Sequence, residues 1–163
     1  DKVPTEDVWR KLKLDPQLSV REQTGAYVIT GYVPGVSDED MSITLTEKGD
    51  TLVIKGFRGP TPRDIALMKQ KIRQVREGSM YDIDDIEDDE LMLRLGSGRF
   101  GSFTKSYYVP DDCNASEITA TYKGGNIRVT IPKVRRTPQF RQQDMYPFGR
   151  RRDNFFNDSN FWW

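Results

Sequence analysis

An all-β antiparallel sandwich is the fold class this sequence predicts, and three observations carry it. About six short segments alternate in polarity or are rich in β-branched and aromatic residues, turn residues separate them, and only one insertion among them reads as helical. A chain of 163 residues with 36% hydrophobic content can bury one sizeable core, so anything further has to be a tail or an insertion.

The first stretch, PTEDVWRKLKLDP, offers Thr5 as an N-cap, acids in the first turn, and Val8, Trp9 and Leu12 on one side before Pro16. It predicts a short helix within an N-terminal arm over 1–17. LSVREQ (18–23) alternates weakly, and AYVITGYVPGV (26–36) runs richer in β-branched and aromatic residues into a Pro-Gly turn. MSITLTEKGDTLVIKGF places Met41, Ile43 and Leu45 on one face, turns at Gly49-Asp50 and resumes alternation at Leu52 and Ile54, which is a hairpin. GSFTKSYYVPDD (101–112) and ITATYKGGNIRVTIPK (118–133) complete the set, with Phe103, Tyr107, Val129 and Ile131 expected in the core.

The rhythm breaks over 59–98, inside a sandwich that otherwise runs from 18 to 133. Thr61, Pro62 and Asp64 supply an N-cap, an N1 proline and a capping-box acid, and Gly78 marks the far end, so a helix is expected over 62–77. Its apolar residues Ile65, Met68, Ile72 and Val75 recur at three and four, while Arg63, Lys69, Lys71, Arg73 and Arg76 make the remainder basic. Four apolar side chains at about 1.5–3 kcal/mol each require cover, so this stripe is a docking candidate. DIDDIEDDE (82–90) follows, seven acids in nine residues, and then a short strand-like LMLRL. Asp82 and Asp84 begin like a calcium loop, but Ile86 fails the next ligand position and the turn glycine is missing. A solvated charge run is expected, able to pair with the basic helix before it.

Residues 134–163 change character again, holding eight of the eighteen aromatics, a triple arginine at 150–152 and no alternation. Phe155, Phe156, Phe161, Trp162 and Trp163 are candidates for docking into a partner protein, because Trp, Phe and Arg are interface anchors. RNA stacking, a membrane interface and a disordered end remain as the other readings of this tail.

Composition removes several function classes. Lys plus Arg and Asp plus Glu balance at 25 each, so no global field draws the chain to nucleic acid, which ranks behind protein as a partner. With no histidine and only Cys113 for a thiol, His-based triads, His or thiolate metal sites and internal disulfides are excluded. No run of about 18 apolar residues predicts a membrane span. No phosphate-cradling loop or nucleophile elbow occurs, so neither an enzyme nor a cofactor is expected. Starting at Asp1 rather than Met fits either a trimmed chain or an organellar precursor relieved of its targeting peptide, leaving cytoplasm and organelle both open.

The strand segments resemble the small heat-shock protein family, built on the α-crystallin domain. Gly101, Phe103, Lys105, Tyr107, Val109 and Pro110 fall in the register of the family's Gly-x-Phe-x-Arg-x-Phe-x-Leu-Pro strand. Ala120, Gly125, Ile127, Val129, Ile131, Pro132 and Lys133 match its ending, and VPGV and LVIKGFR resemble two upstream motifs. The resemblance covers roughly 18–58 and 99–133 and implies an immunoglobulin-like β-sandwich of α-crystallin type, with the helical insertion and extended termini added to it. Three departures stand out: Lys105 replaces an arginine, Asn126 replaces an apolar residue, and no Ile-x-Ile follows Lys133.

The resemblance implies an ATP-independent holdase that binds exposed apolar segments of unfolding client proteins. The implied groove runs between the strands at 41–47 and 118–123, lined by Ile43, Leu45, Ala120 and Tyr122, where a guest adds to a sheet edge. It also implies a homodimer through Val20, Leu91, Leu93 and Lys105, with the strand at 91–95 paired to the strand at 18–23 of a second copy. The alternative is a non-catalytic docking subunit of a larger, organellar assembly, a hetero-complex that uses insertion and tail as arms; the missing Ile-x-Ile and the altered Asn126 favour it.

Overall fold

Alternation along the strand segments resolves into two sheets in the computed structural model, which describes residues 3–78 and 85–134. The strands are β1 Leu18–Glu22, β2 Ala26–Tyr32, β3 Ser42–Leu45, β4 Thr51–Arg58, β5 Gly101–Tyr108, β6 Thr119–Lys123 and β7 Asn126–Pro132. One sheet has the order β1-β2-β7-β6 and the other β3-β4-β5. The pairs β1–β2, β2–β7, β6–β7 and β3–β4 are antiparallel, giving a β-sandwich.

Period-two burial follows the pleat. In β7, Ile127, Val129 and Ile131 are buried between exposed or half-buried neighbours, and in β4 Leu52 and Ile54 do the same. Facing Ile131 and Val129 across the ladder are Tyr27 and Ile29 of β2, all four fully buried. The expected core residues Phe103, Tyr107, Val129 and Ile131 are all buried.

Two segments differ from the sequence expectation. The stretch 118–133 is a hairpin rather than one strand, because Gly124 and Gly125 both sit at positive φ (60° and 84°), the conformation a tight two-residue turn demands. LMLRL is not a strand: it lies in helix α3, Asp88–Gly96. Asp88, Asp89 and Glu90 fill the first turn, Arg94 the last, and Leu, Met and Arg are better helix than strand formers.

The remaining helices are α1, Glu6–Lys11, and α2, Pro62–Gly78. Thr5 precedes α1 without a side-chain capping bond. At α2 the capping box closes: the Thr61 backbone N–H donates to Asp64 Oδ2 at 2.9 Å, and the Asp64 N–H donates to Thr61 Oγ1 at 3.1 Å. The basic helix meets its acidic neighbour through Arg76, whose Nη2 donates to the Ile86 carbonyl at 2.6 Å and to Asp88 at 2.8 Å.

Over the described residues the chain divides into two compact units. The first comprises Asp1–Asp15, Gly35–Asp40 and Gly56–Phe103, and the second Pro16–Pro34, Met41–Lys55 and the residues from Thr104 onward. The first has its own apolar core of Trp9, Phe57, Met68, Ile72, Met92 and Phe100, so the insertion shares a core with the N-terminal arm. In the second, Lys133 Nζ meets Glu22 Oε2 at 2.7 Å with both side chains about six-sevenths covered, tying the end of β7 to the end of β1.

Two outcomes follow from these contacts. Thr61→Ala should cost about 1 kcal/mol in a thermal melt followed by far-UV dichroism. The Thr61 N–H holds the Asp64 carboxyl below its ordinary 3.8, against partial burial, with the Thr61 hydroxyl, Arg99 and Arg63 adding to the effect. This stabilisation is therefore present above pH 3.8 and lost as pH falls through the depressed value, and Asp64→Asn should abolish that acid limb. Lys133→Met should cost roughly 2 kcal/mol by taking the cation away from a mostly covered carboxylate, and adding Glu22→Gln should recover part of the loss in a double-mutant cycle.

Candidate functional site

β3 is an edge strand, and its register places Ile43 opposite Ile54 and Leu45 opposite Leu52. Ile54 and Leu52 are fully buried, so Ile43 and Leu45 point to the same inward face, yet Ile43 is only half-buried and Leu45 is 37% exposed. β6 is the edge of the other sheet, with Ala120 opposite Val129 and Tyr122 opposite Ile127. Both partners are buried, while Ala120 is exposed and Tyr122 half-buried. Core-facing positions on two edge strands are thus left uncovered, and each strand also presents a ladder edge.

Local structure fixes these strands. The loop after β3 is closed by the Thr46 N–H donating to the Thr51 carbonyl at 2.9 Å and by Thr46 Oγ1 donating to Asp50 at 3.0 Å. Ahead of β6, Asn114 Oδ1 accepts from the Ser116 N–H and hydroxyl, capping the short 3-10 turn Ala115–Glu117. The two loops approach: a methyl added at Gly49 would lie 4.0 Å from Ala115 Cβ. Tyr122 is held by its hydroxyl, which donates to the Val33 carbonyl at 2.9 Å. Ile118, half-buried, continues the inward parity of Ala120 and Tyr122; the sequence reading did not select it, although its i, i+2, i+4 spacing was the available signal.

The other candidates fall in several places. Val20 lies in edge strand β1 opposite Ile29, and Lys105 is half-buried in β5. Leu91 and Leu93 belong to α3, where they pack against the core of the first unit, so the strand expected to cross to a second copy is a helix here. Met68 and Ile72 are buried in that core and Ile65 packs against it, whereas Val75 is 38% exposed. Asp82 and Asp84, like Phe155, Phe156, Phe161, Trp162 and Trp163, lie outside the described residues.

Chemically the site offers apolar side chains and open strand edges. Burial, with Asp112 adding and Lys133 opposing, pushes the Cys113 thiol up to about 12, so it is protonated near neutrality and a poor nucleophile. Among the described residues no cluster of three or more His, Cys, Asp or Glu side chains could hold a metal, and no helix is long and apolar enough to cross a membrane.

Comparison with known proteins gives the family. Residues 62–145, just over half of the 163-residue chain, match the model of the Hsp20/alpha crystallin family. The chain is similar to spore protein SP21 of Stigmatella aurantiaca, 28% identical over 118 residues that cover 72% of this chain and 54% of that protein. It is also similar to the 17.4 kDa class III heat shock protein of Arabidopsis thaliana, 27% identical over 117 residues covering 72% and 63%. The chain therefore spans less than two thirds of these relatives' length. A solved small heat-shock protein from Xylella fastidiosa is 24% identical, with a TM-score of 0.49 over 76% of this chain and 91% of that one. With the β5 and β6–β7 motifs in their sandwich positions and the family model matched across them, the chain belongs to the Hsp20/alpha crystallin family.

Proposed function

We propose that this chain is an ATP-independent holdase of the small heat-shock type, retaining extended apolar segments of unfolding proteins on edge strands β3 and β6. The observation that carries this reading is the exposure of Leu45 and Ala120, with Ile43 half-covered, at positions whose register directs them into the core. A guest strand that pairs with such an edge satisfies its backbone groups and places alternate side chains against these residues.

Magnitudes favour retention over tight binding. Two seated aliphatic side chains gain about 3–6 kcal/mol, less the cost of ordering the guest, which puts a single segment near millimolar affinity. An unfolding protein exposes many such segments, so avidity makes up the difference and no nucleotide is required for release.

Leu45→Asp tests the reading with little risk to the fold, since a substitution at a third-exposed edge position changes stability by about 0.5 kcal/mol or a little more. The variant should keep the parent's melting temperature within a few degrees and lose most of its suppression of light scattering by a heated client. Undiminished suppression would overturn the assignment of this surface.

A further inference from the structure

The N-terminal arm is fastened to the insertion chiefly through Trp9, with Leu12 packed beside it. α1 is six residues long, shorter than a helix that holds itself together, and carries no side-chain cap. Trp9 is 2% exposed, edge-to-face on Phe100 with centroids 5.6 Å apart, and packs in a cluster with Phe57, Met68, Ile72 and Met92. Its Nε1 finds no hydrogen-bond partner among the described residues, a penalty for keeping the indole there. Past Trp9, the Leu14 N–H donates to the Ser102 carbonyl at 2.9 Å and the Ser102 N–H to the Leu12 carbonyl at 2.8 Å.

The seat is shaped for this occupant. A methyl at Gly96, the last residue of α3, would stand 2.5 Å from Trp9 Cζ3 and 2.9 Å from Phe100 Cδ2. At Gly101, with φ of 137°, a methyl would collide with the Leu12 carbonyl. Arg10 fastens the rim, contacting Glu6 and Asp40 at 3.2 Å each while its guanidinium lies 4.1 Å over the Phe57 ring. The Arg10 side chain is 40% exposed, so water and salt weaken these contacts.

We propose that α1 is a releasable strap. When it lifts, the hollow lined by Phe57, Met68, Ile72, Met92 and Phe100 captures an unfolded segment bearing an aromatic anchor in place of Trp9, as a second client seat in addition to the open edges of β3 and β6. The indole-shaped hollow at Gly96 names the occupant's chemistry: a flat aromatic carried on a short chain segment. Opening is local, because the sandwich strands of the second unit keep their own buried residues while the arm surrenders Trp9, the Leu12 and Leu14 cover, the Arg10 contacts and two backbone bonds. The second seat rests on the holdase reading; the strap itself does not.

The test uses the full chain with Trp162→Phe and Trp163→Phe, leaving Trp9 as the only indole. In this parent, Trp9 emission should be blue-shifted and shielded from acrylamide. Gly96→Ala, which fills the hollow, should red-shift it and raise quenching toward the unfolded value at temperatures well below the sandwich melt. Arg10→Gln, which leaves the hollow intact, should raise the open fraction several-fold and give an intermediate shift, so the test survives if Gly96→Ala unfolds the first unit. Arg10→Gln should halve the chain needed to suppress aggregation of a heated, Phe-rich client, whereas Gly96→Ala, whose methyl takes the place of the aromatic anchor, should bring no such gain. Unchanged Trp9 emission in Arg10→Gln and in folded Gly96→Ala overturns the strap, and an opened arm in Arg10→Gln without a gain in suppression, or an equal gain in Gly96→Ala, overturns the second seat. Leu45→Asp in the same assay separates the two ideas. Its loss of suppression without a strap gain sinks only this inference, a strap gain with Leu45→Asp unaffected sinks only the edge-strand reading, and no effect from any variant sinks both.

Discussion

The β2–β7 ladder is the constraint on which the sandwich depends. It joins Ala26 to Pro132 and Tyr32 to Asn126, so it closes nearly the whole described chain into one loop. Such closure costs more chain entropy than any hairpin, and only burial along the ladder repays it. Tyr27, Ile29, Val129 and Ile131 supply that burial, each with essentially no exposure. β1 and β6 then add as hairpin neighbours on either side, and each becomes an edge because the ladder takes the centre. The Glu22–Lys133 pair and the Lys133 N–H donated to the Gly25 carbonyl secure the same ladder at its end.

An edge strand with apolar inward positions invites uncontrolled pairing, and the strands here limit that hazard by composition. β3 is only four residues long, and its alternate positions Ser42 and Thr44 are polar. β6 alternates Thr119, Thr121 and Lys123 with Ala120 and Tyr122. A segment that is polar at every position gains backbone bonds from these edges but no apolar contact, and loses the water it brings. A segment apolar at every second position gains both. On the proposed holdase reading, period two is what lets these edges distinguish an unfolding chain from a folded surface.

The sandwich was legible in the sequence because period-two alternation and turn glycines act locally, and the pleat converts them directly into inward and outward faces. Helix α2 was equally legible, since Thr61, Pro62 and Asp64 state its start in adjacent residues and the structure closes those bonds. LMLRL misled because a five-residue, mostly apolar run carries no decisive period. Its leucines are two apart and satisfy a strand, but the acids preceding them make a helical first turn once the segment is covered by Trp9 and Phe100. The edge positions Ile43, Leu45, Ala120 and Tyr122 came from a family resemblance. Alternation shows which residues point inward, but strand order, which leaves them uncovered, is a long-range property no window of sequence contains.

The N-terminal arm illustrates the same limit from the opposite side. Trp9 reads in sequence as one member of a short apolar stripe, and nothing near it indicates what that stripe covers. The signal lies at Gly96 and Gly101, far along the chain, where a missing Cβ makes room for the indole and for the Leu12 carbonyl. Gly96 costs its helix roughly 0.5–1 kcal/mol relative to alanine, at a helix end where that cost is smallest. A glycine placed against an aromatic ring is therefore better read as half of a contact than as a helix terminator, and here it identifies the arm and the insertion as parts of one core.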